Sequence, residues 1–363
     1  MATPEPETQA EIAEPGDPGL TVACVILGLS FVVGAPGNLF VIWTILRHVK
    51  RRSHTVLLIL HLAVADLLVL ITLPLWIYSF VHSWVFGLNT CKATVYVVNA
   101  CMYSSVFLIT IMSVERFVAV RYPFASAGWR RKQALHKLLL AVWVAAFLLS
   151  IPVLPTQVLG DHDDMQLCTF KQYETDSQEI VFVLLETTVG FLAPLAILVV
   201  CYGCLYSRIA QMNFKTKRKS TGLIATVVVA FVICWTPHHI GNILSLVYIG
   251  IKTSYEDAAT HVEEVRVTMA FIAGAMAFVS SAVNPVLYAF AARSFRTSLG
   301  DTGIQNLFRH ISGTATGEGS KDVHFTSRRQ TSQTQTQSSQ CFTESKAQID
   351  LLVDICKRDL PVC

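Results

Sequence analysis

Ionised and hydrogen-bonding side chains recur inside the longest apolar stretches of this chain, where hydrocarbon does not solvate them and each needs a partner or a ligand. Asp66 follows Leu62-Ala63-Val64-Ala65, Glu186 follows Val183-Leu184-Leu185, and Glu115-Arg116 closes a third apolar run. His238-His239 follows Cys234-Trp235-Thr236-Pro237, and Asn284-Pro285-Val286-Leu287-Tyr288 sits near the end of the last run. These residue types support three kinds of chemistry. Carboxylate, hydroxyl and amide oxygens can cage a small hard cation. A carboxylate beside imidazoles can read a ligand through charge and hydrogen bonds, and an adjacent acid and base can form an ion pair that breaks. Pro285 lacks a backbone donor, so it kinks a helix and frees a carbonyl for other partners. The loops hold neither a nucleophile–base pair nor a run of metal ligands, which argues against an enzyme. No cofactor is expected beyond such a cation, and no nucleic-acid partner.

Seven apolar segments must position these groups. Hydrophobic residues make up 53% of the chain and charged residues 15%, against roughly 25% charged in a soluble protein. A helix needs about 20 residues to cross a hydrocarbon core. Segments of that length are expected near Leu20–Leu46, Thr55–Val81, Leu88–Val120, Ala134–Leu154, Glu179–Ser207, Ser220–Ile249 and Val262–Phe290. The expected fold class is an all-α membrane protein, a bundle of seven transmembrane helices over residues 20–290. An acidic tail over 1–19 precedes it. A juxtamembrane stretch over 291–311 and a tail over 312–363 follow.

Basic residues set the expected orientation. Arg47, Lys50, Arg51 and Arg52 follow the first segment, Arg121, Arg130, Arg131 and Lys132 the third, and Arg208, Lys215, Lys217, Arg218 and Lys219 the fifth. Residues 1–19 hold no lysine or arginine, which places the amino terminus outside and argues against a cleaved signal peptide. The outer side is then acidic, with Glu5, Glu7, Glu11, Glu14 and Asp17, Asp161, Asp163 and Asp164, and Glu256, Asp257, Glu263 and Glu264. A solvated surface and the steering of a cationic ligand both fit that pattern. Cys91 opens the third segment on the outside and Cys168 lies in the longest outer loop. Both face the oxidising side, so they are expected to pair.

Position along a helix converts to depth at about 1.5 Å per residue. Asn38, Asp66, Ser105 and Asn284 then fall roughly 14–16 Å from the inner end, near the middle of a ~30 Å core. With Ser280 and Ser281 they form either an oxygen cage for a cation such as sodium or a water-filled hydrogen-bond network. Arg116 lies about 38 Å below Cys91, at the inner interface. Pairing with Glu115 would be one state of a switch, and a plain interfacial anchor is the alternative. Nearer the outside, Glu186 lies about 11 Å below the start of its segment, Tyr103 about 18 Å below Cys91, and His238 and His239 about 16 Å below Ile249. Tyr96, Asn99 and Asn242 reach the same depth, with Trp235 a turn or less away. A ligand cavity is expected among these residues. Glu186 is the expected ligand contact, and a structural bond from Glu186 to His239 is the alternative.

At this point the residues resemble a family. Gly37-Asn38, Leu62-Ala63-Val64-Ala65-Asp66, Glu115-Arg116-Phe117, Trp143, Pro194 with Tyr202, Cys234-Trp235-Thr236-Pro237 and Asn284-Pro285-Val286-Leu287-Tyr288 match, in order, rhodopsin-like G-protein-coupled receptors. Four stretches are similar to leukotriene B4 receptors and related chemoattractant receptors. They are Gly34-Ala35-Pro36-Gly37-Asn38, Met102-Tyr103-Ser104-Ser105-Val106, Leu185-Glu186-Thr187-Thr188-Val189-Gly190-Phe191 and Phe278-Val279-Ser280-Ser281-Ala282-Val283-Asn284. The resemblance implies a plasma-membrane receptor for an extracellular lipid mediator, coupled to an inhibitory-type heterotrimeric G protein. A peptide receptor and a non-signalling scavenger are the alternatives. Two features depart from the pattern: Glu115-Arg116-Phe117 lacks the usual Asp and Tyr, and His238-His239 stands where Tyr-His is expected. Lysines and arginines are sparse in the outer halves of the segments, where Lys92, His82 and Arg266 join the two histidines as the candidate cations.

In such a receptor Trp235 and the Pro237 kink couple the cavity to movement of the sixth segment. Arg116 is freed by that movement, and Tyr202 and Tyr288 stabilise the opened state. Ala291-Ala292-Arg293-Ser294-Phe295-Arg296 suggests a short amphipathic helix on the inner leaflet. Residues 312–345 are rich in Ser, Thr and Gln and read as disordered. Arg328-Arg329-Gln330-Thr331-Ser332 offers Thr331 and Ser332 to a basophilic kinase, and the hydroxyl cluster after it suits receptor kinases and arrestin. A plain disordered tail is the alternative.

Overall fold

A computed structural model describes residues 18–49, 53–121, 132–162, 165–171, 173–209 and 215–292, together with Ile304 and Phe308. The acidic amino-terminal tail, most of the juxtamembrane stretch and the tail with Thr331 and Ser332 lie outside the described residues. So do Asp163, Asp164, Lys50, Arg51, Arg52, Arg130 and Arg131.

Seven helices among the described residues are long and apolar enough to cross a membrane. Span one is Pro18–His48. Span two joins His54–Leu70 to Leu73–Val81 across a break at Ile71 and Thr72. The break has a local cause: Pro74 has no N–H to give to Leu70 O one turn back, and Thr72 closes the turn locally, its N and Oγ1 both donating to Val69 O at 3.2 and 2.7 Å. Span three is Gly87–Arg121, and span four is Lys132–Ser150 continued by Val153–Thr156. Span five runs through Asp176–Thr187, a π-helical turn over Thr188–Leu192, and Ala193–Ile209. Spans six and seven are Lys215–Ile251 and Glu256–Ala292. Both start several residues before their apolar stretches. Glu256 and Asp257 occupy the first turn of span seven, where the helix dipole favours acids.

Span three is the hub, in contact with spans two, four, five and six, while span seven packs against spans one, two and six. Outward faces are rich in exposed Val, Leu and Ile, as on spans one and four. Between helices, large aliphatic residues such as Ile45, Leu58 and Leu108 are interleaved with small and polar ones such as Ala63, Asn38 and Ser104, and close approach of the spans relies on the latter. Two glycines show how tightly span one packs. A Cβ at Gly34 would lie 2.8 Å from the Ala282 backbone, and one at Gly37 would lie 2.8 Å from Pro285 Cβ. Their bare backbone lets span one press on span seven at Ala282 and Pro285.

Between spans four and five, β1 (Gln157–His162) and β2 (Met165–Phe170) form an antiparallel hairpin with Leu159 opposite Cys168. Cys168 is bonded to Cys91 at the start of span three, with a Cα–Cα distance of 5.7 Å. The expected pairing is present, and it ties the hairpin to the bundle. Trp84 N donates to Gln166 O at 2.6 Å and holds the second strand from the other side.

Candidate functional site

A cavity of about 340 Å³ opens among spans three, five, six and seven. Its wall is mostly apolar, from Val98, Met102 and Val106 on span three to Phe278 on span seven. Span seven makes the room with Ala270, Ala273, Gly274 and Ala277. Their spacing of three and four residues puts them on one helix face, a pattern visible in the sequence. Polar groups enter at a few points: Asn99 and Tyr103 from span three, Glu186 from span five, and His238 and His239 from span six. Trp235 also lines the cavity. No lysine or arginine lines it among the described residues.

Glu186 is the centre of this polar set. Its Oε1 lies 3.1 Å from His238 Nε2, and Asn242 Nδ2 donates to its Oε2 at 3.2 Å. Asn242 Nδ2 also reaches Thr187 Oγ1 at 3.1 Å, and His239 Nδ1 lies 3.4 Å from the same hydroxyl. Glu186 therefore bonds His238, and His239 belongs to Thr187, which corrects the alternative reading of a Glu186–His239 bond. The reason is helical geometry: neighbouring residues diverge by about 100°, so only one of two adjacent histidines can face the carboxylate. Thr187 was not singled out in the sequence. The π turn after it carries Phe191, whose ring stacks on His239 at 4.4 Å.

Tyr96 is a second correction. Its hydroxyl donates to Phe147 O at 3.1 Å and its ring packs on Phe147, so it serves the joint between spans three and four. Asn99 lines the cavity while its Oδ1 accepts from Ser150 Oγ at 3.0 Å. Asn242 does not line the cavity but holds Glu186 from behind. Of the outer cations, Arg266 is held by Glu263, with Nε donating to Oε2 at 2.6 Å. His82 packs beside Tyr78, with ring centroids 4.9 Å apart. Tyr173, just before span five, stacks on Phe182. Burial, and then the charges of Glu186 and Glu179, push its phenol above the usual tyrosine range.

Deeper in the bundle, Asp66 is 1% exposed and accepts a hydrogen bond from Asn284 Nδ2 at 2.8 Å. Ser105 and Ser281 stand beside it. Asn38 Nδ2 donates to Gly34 O at 3.0 Å and Ser281 O at 3.1 Å, joining spans one and seven. Five of the six residues expected at this depth thus converge. Ser280 is half-buried on span seven and is not among the groups that meet the carboxylate. The oxygen donor set of Asp66, Ser105 and Ser281 fits a hard cation in kind.

At the far end Arg116 is 6% exposed. Its Nη2 donates to Thr55 Oγ1, and that hydroxyl donates to Glu115 Oε2. Thr55, on the first turn of span two, thus bridges the acid and the base, a role that the sequence did not reveal. Tyr202 OH lies 3.5 Å from Ser113 Oγ, one turn before Arg116. Tyr288 is 2% exposed and packs on Phe308, with ring centroids 6.0 Å apart.

Comparison with known proteins agrees with this architecture. The model of the 7 transmembrane receptor (rhodopsin family) matches residues 37–288. The chain is 36% identical to leukotriene B4 receptor 1 of Homo sapiens over 282 residues, 77% of this chain and 79% of that one. It is 36% identical to leukotriene B4 receptor 1 of Rattus norvegicus over 293 residues, covering 80% and 82% of the two chains. Against the C3a anaphylatoxin chemotactic receptor of Danio rerio the identity is 30% over 280 residues, covering 77% and 74%.

Proposed function

The chain belongs to the rhodopsin family of seven-transmembrane receptors, and from that premise we propose that it is a G-protein-coupled receptor for an extracellular lipid chemoattractant. Leukotriene B4 or a related eicosanoid is the proposed ligand, and an inhibitory-type G protein the proposed partner. One observation carries the ligand class. The cavity is an apolar chamber with a few clustered polar groups and, among the described residues, no lining lysine or arginine, which suits a long hydrocarbon with few polar substituents. The similarity to leukotriene B4 receptor 1 supports the same reading.

In this reading the disulfide end faces outside, in accord with the distribution of basic residues. The ligand meets Glu186, held by His238 and Asn242, together with Asn99, Tyr103 and His239. Trp235 and the Pro237 kink pass its presence down span six. Asp66, with Ser105, Ser281, Asn284 and Asn38, couples spans two, three, seven and one, and would hold a sodium ion in the resting state. At the inner end, movement of span six releases Arg116 from Thr55 and opens a seat for the G protein. Thr331 and Ser332 are proposed targets of receptor kinases, with arrestin as the reader. A peptide ligand is the second reading, favoured by the acidic groups Asp176, Glu179, Glu263 and Glu264 near the same end.

Calcium and cyclic-AMP responses in transfected cells test the proposal against a panel of leukotrienes, other eicosanoids and basic peptides. A response to a leukotriene with a fall in cyclic AMP is expected. A response to peptides alone overturns the lipid reading, and ligand uptake without either signal overturns the signalling one.

A further inference from the structure

The polar and apolar parts of the cavity wall come from different spans. Its hydrogen-bonding groups, on Asn99, Tyr103, Glu186, His238 and His239, stand on spans three, five and six, whereas span seven gives only Ala270, Ala273, Gly274, Ala277 and Phe278. From Ala270 to Phe278 that wall runs about 12 Å along the helix, toward the layer of Asp66. Gly274 is its most open point. The residue is exposed, and a Cβ built on it would meet no atom within 4 Å. Ile272 is 41% exposed on the other side of the helix, because two residues turn by about 200°. The exposure of Gly274 is therefore to the cavity that it lines. Phe278, one turn deeper, is the reverse. It packs against two buried clusters, one around Leu70, Leu73 and Ala282 and one around Val69, Val98 and Cys101, and it closes the end of the wall.

We propose that span seven measures the hydrocarbon of the ligand, with Gly274 setting the chain length that the cavity accepts and Phe278 acting as the stop. The proposal rests on the lipid-receptor reading above and adds the residues that select among lipids. A lipid carboxylate meets no lysine or arginine in the lining among the described residues, and Glu186 repels it. It stays at the mouth, and the hydrocarbon end goes in. Hydroxyls along the chain turn to the hydrogen-bonding spans, which leaves the carbon chain to lie along span seven. That wall offers methyl groups and bare backbone, so what it discriminates is how much carbon fits. A methylene that has room is buried favourably. One that meets Phe278 has to displace packed side chains. Glycine also weakens a helix interior relative to alanine. Gly274 lies within the helix of span seven, and no close contact there requires a missing Cβ. The room it leaves in the cavity is the use that remains for it.

The test uses the full-length receptor in cells. The probes are leukotriene B4 and analogues whose hydrocarbon end is shortened or lengthened by a few carbons while the hydroxyls stay in place. Wild type is expected to lose about tenfold in potency toward the lengthened analogue. Gly274→Leu fills the open point of the wall, so the shortened analogue should become more potent than leukotriene B4 by about tenfold. Gly274→Ala should move the ranking the same way by a smaller factor. Ile272→Ala, on the lipid side, should keep the wild-type ranking. Without ligand, the purified Gly274→Ala receptor is expected to melt at or above the wild-type temperature, because its helix loses a glycine and the new Cβ meets nothing. If Gly274→Leu does not reach the cell surface, Gly274→Ala and Ala277→Val carry the same comparison. An unchanged ranking in these variants, or an equal loss at every chain length, overturns the proposal. So does a Gly274→Ala receptor that melts below wild type, since the fold would then need the glycine. Failure of wild type to respond to any of these lipids overturns the receptor reading and this proposal with it. A responsive wild type whose variants keep its ranking overturns this proposal alone.

Discussion

Asp66 and Glu186 are carboxylates within one helix bundle, and their surroundings differ in every respect that matters for function. Asp66 is 1% exposed and meets neutral partners, an amide from Asn284 and hydroxyls from Ser105 and Ser281. The side chain of Glu186 is 32% exposed, lines a cavity, and is shared between His238 and Asn242. The first arrangement joins helices: each donor comes from a different span or a different turn, so the carboxylate is bound into the relative position of spans two, three and seven. The second leaves a charged group at a wall that something else can reach. A buried acid is therefore not one kind of signal. Whether it couples helices or reads a ligand depends on whether its partners close around it or leave an opening.

Removing each carboxylate tests that contrast. Asp66→Ala should have the largest effect, because it leaves the Asn284 amide buried without its acceptor and uncouples three spans. Agonist-driven G-protein activation is expected to fall by well over tenfold, measured at matched surface expression. Near-normal signalling would show that the deep network is not a coupling element. Glu186→Gln should come next. It keeps the shape but loses the charge-assisted bonds to His238 and Asn242, and ligand affinity is expected to drop about tenfold. Unchanged affinity in a radioligand assay would move the ligand away from this wall.

A third polar site extends the comparison. Thr55→Ala removes the hydroxyl between Arg116 and Glu115, and ligand-independent signalling is expected to rise about two- to fivefold, with Thr55→Ser restoring the low level. No rise in basal cyclic-AMP inhibition would leave Thr55 as packing alone. The smallest effect belongs to the rim. Lys252 Nζ donates to Asp176 Oδ1 at 2.6 Å, and this bond raises the lysine pKa above its ordinary value of 10.5. The folded form then binds its proton more tightly than the unfolded one. The resulting stabilisation is complete below the ordinary lysine value and fades as pH rises through the raised one. Exposed pairs of this kind contribute at most about 1 kcal/mol, so Lys252→Ala should barely move the melting temperature at neutral pH. A large loss would mean that the rim holds the cavity together.

Much of the deep polar network could be read directly from residue order. Asn38, Asp66, Ser105 and Asn284 share a depth because helical rise is constant, and a carboxylate in hydrocarbon has to find such neighbours. The outer cavity was less legible. Asn99, Tyr103, Glu186, Trp235, His238 and His239 were placed at the right level. Depth, however, says nothing about rotation around the helix axis, which turned Tyr96 toward span four and gave Glu186 to His238 rather than His239. The π turn at Thr188–Leu192 altered that rotation within span five, and no periodicity argument anticipates it.

The amino-acid sequence by itself determined seven helices, the Cys91–Cys168 bond and the level of each polar layer, because membrane thickness and helical rise convert position into depth. Tertiary structure alone decided which faces meet. It set Thr55 between Arg116 and Glu115, put Thr187 under His239, and opened the cavity along the small residues of span seven. Those outcomes follow from how helices rotate and approach one another, and in lipid that is settled by side-chain packing and hydrogen bonds between spans.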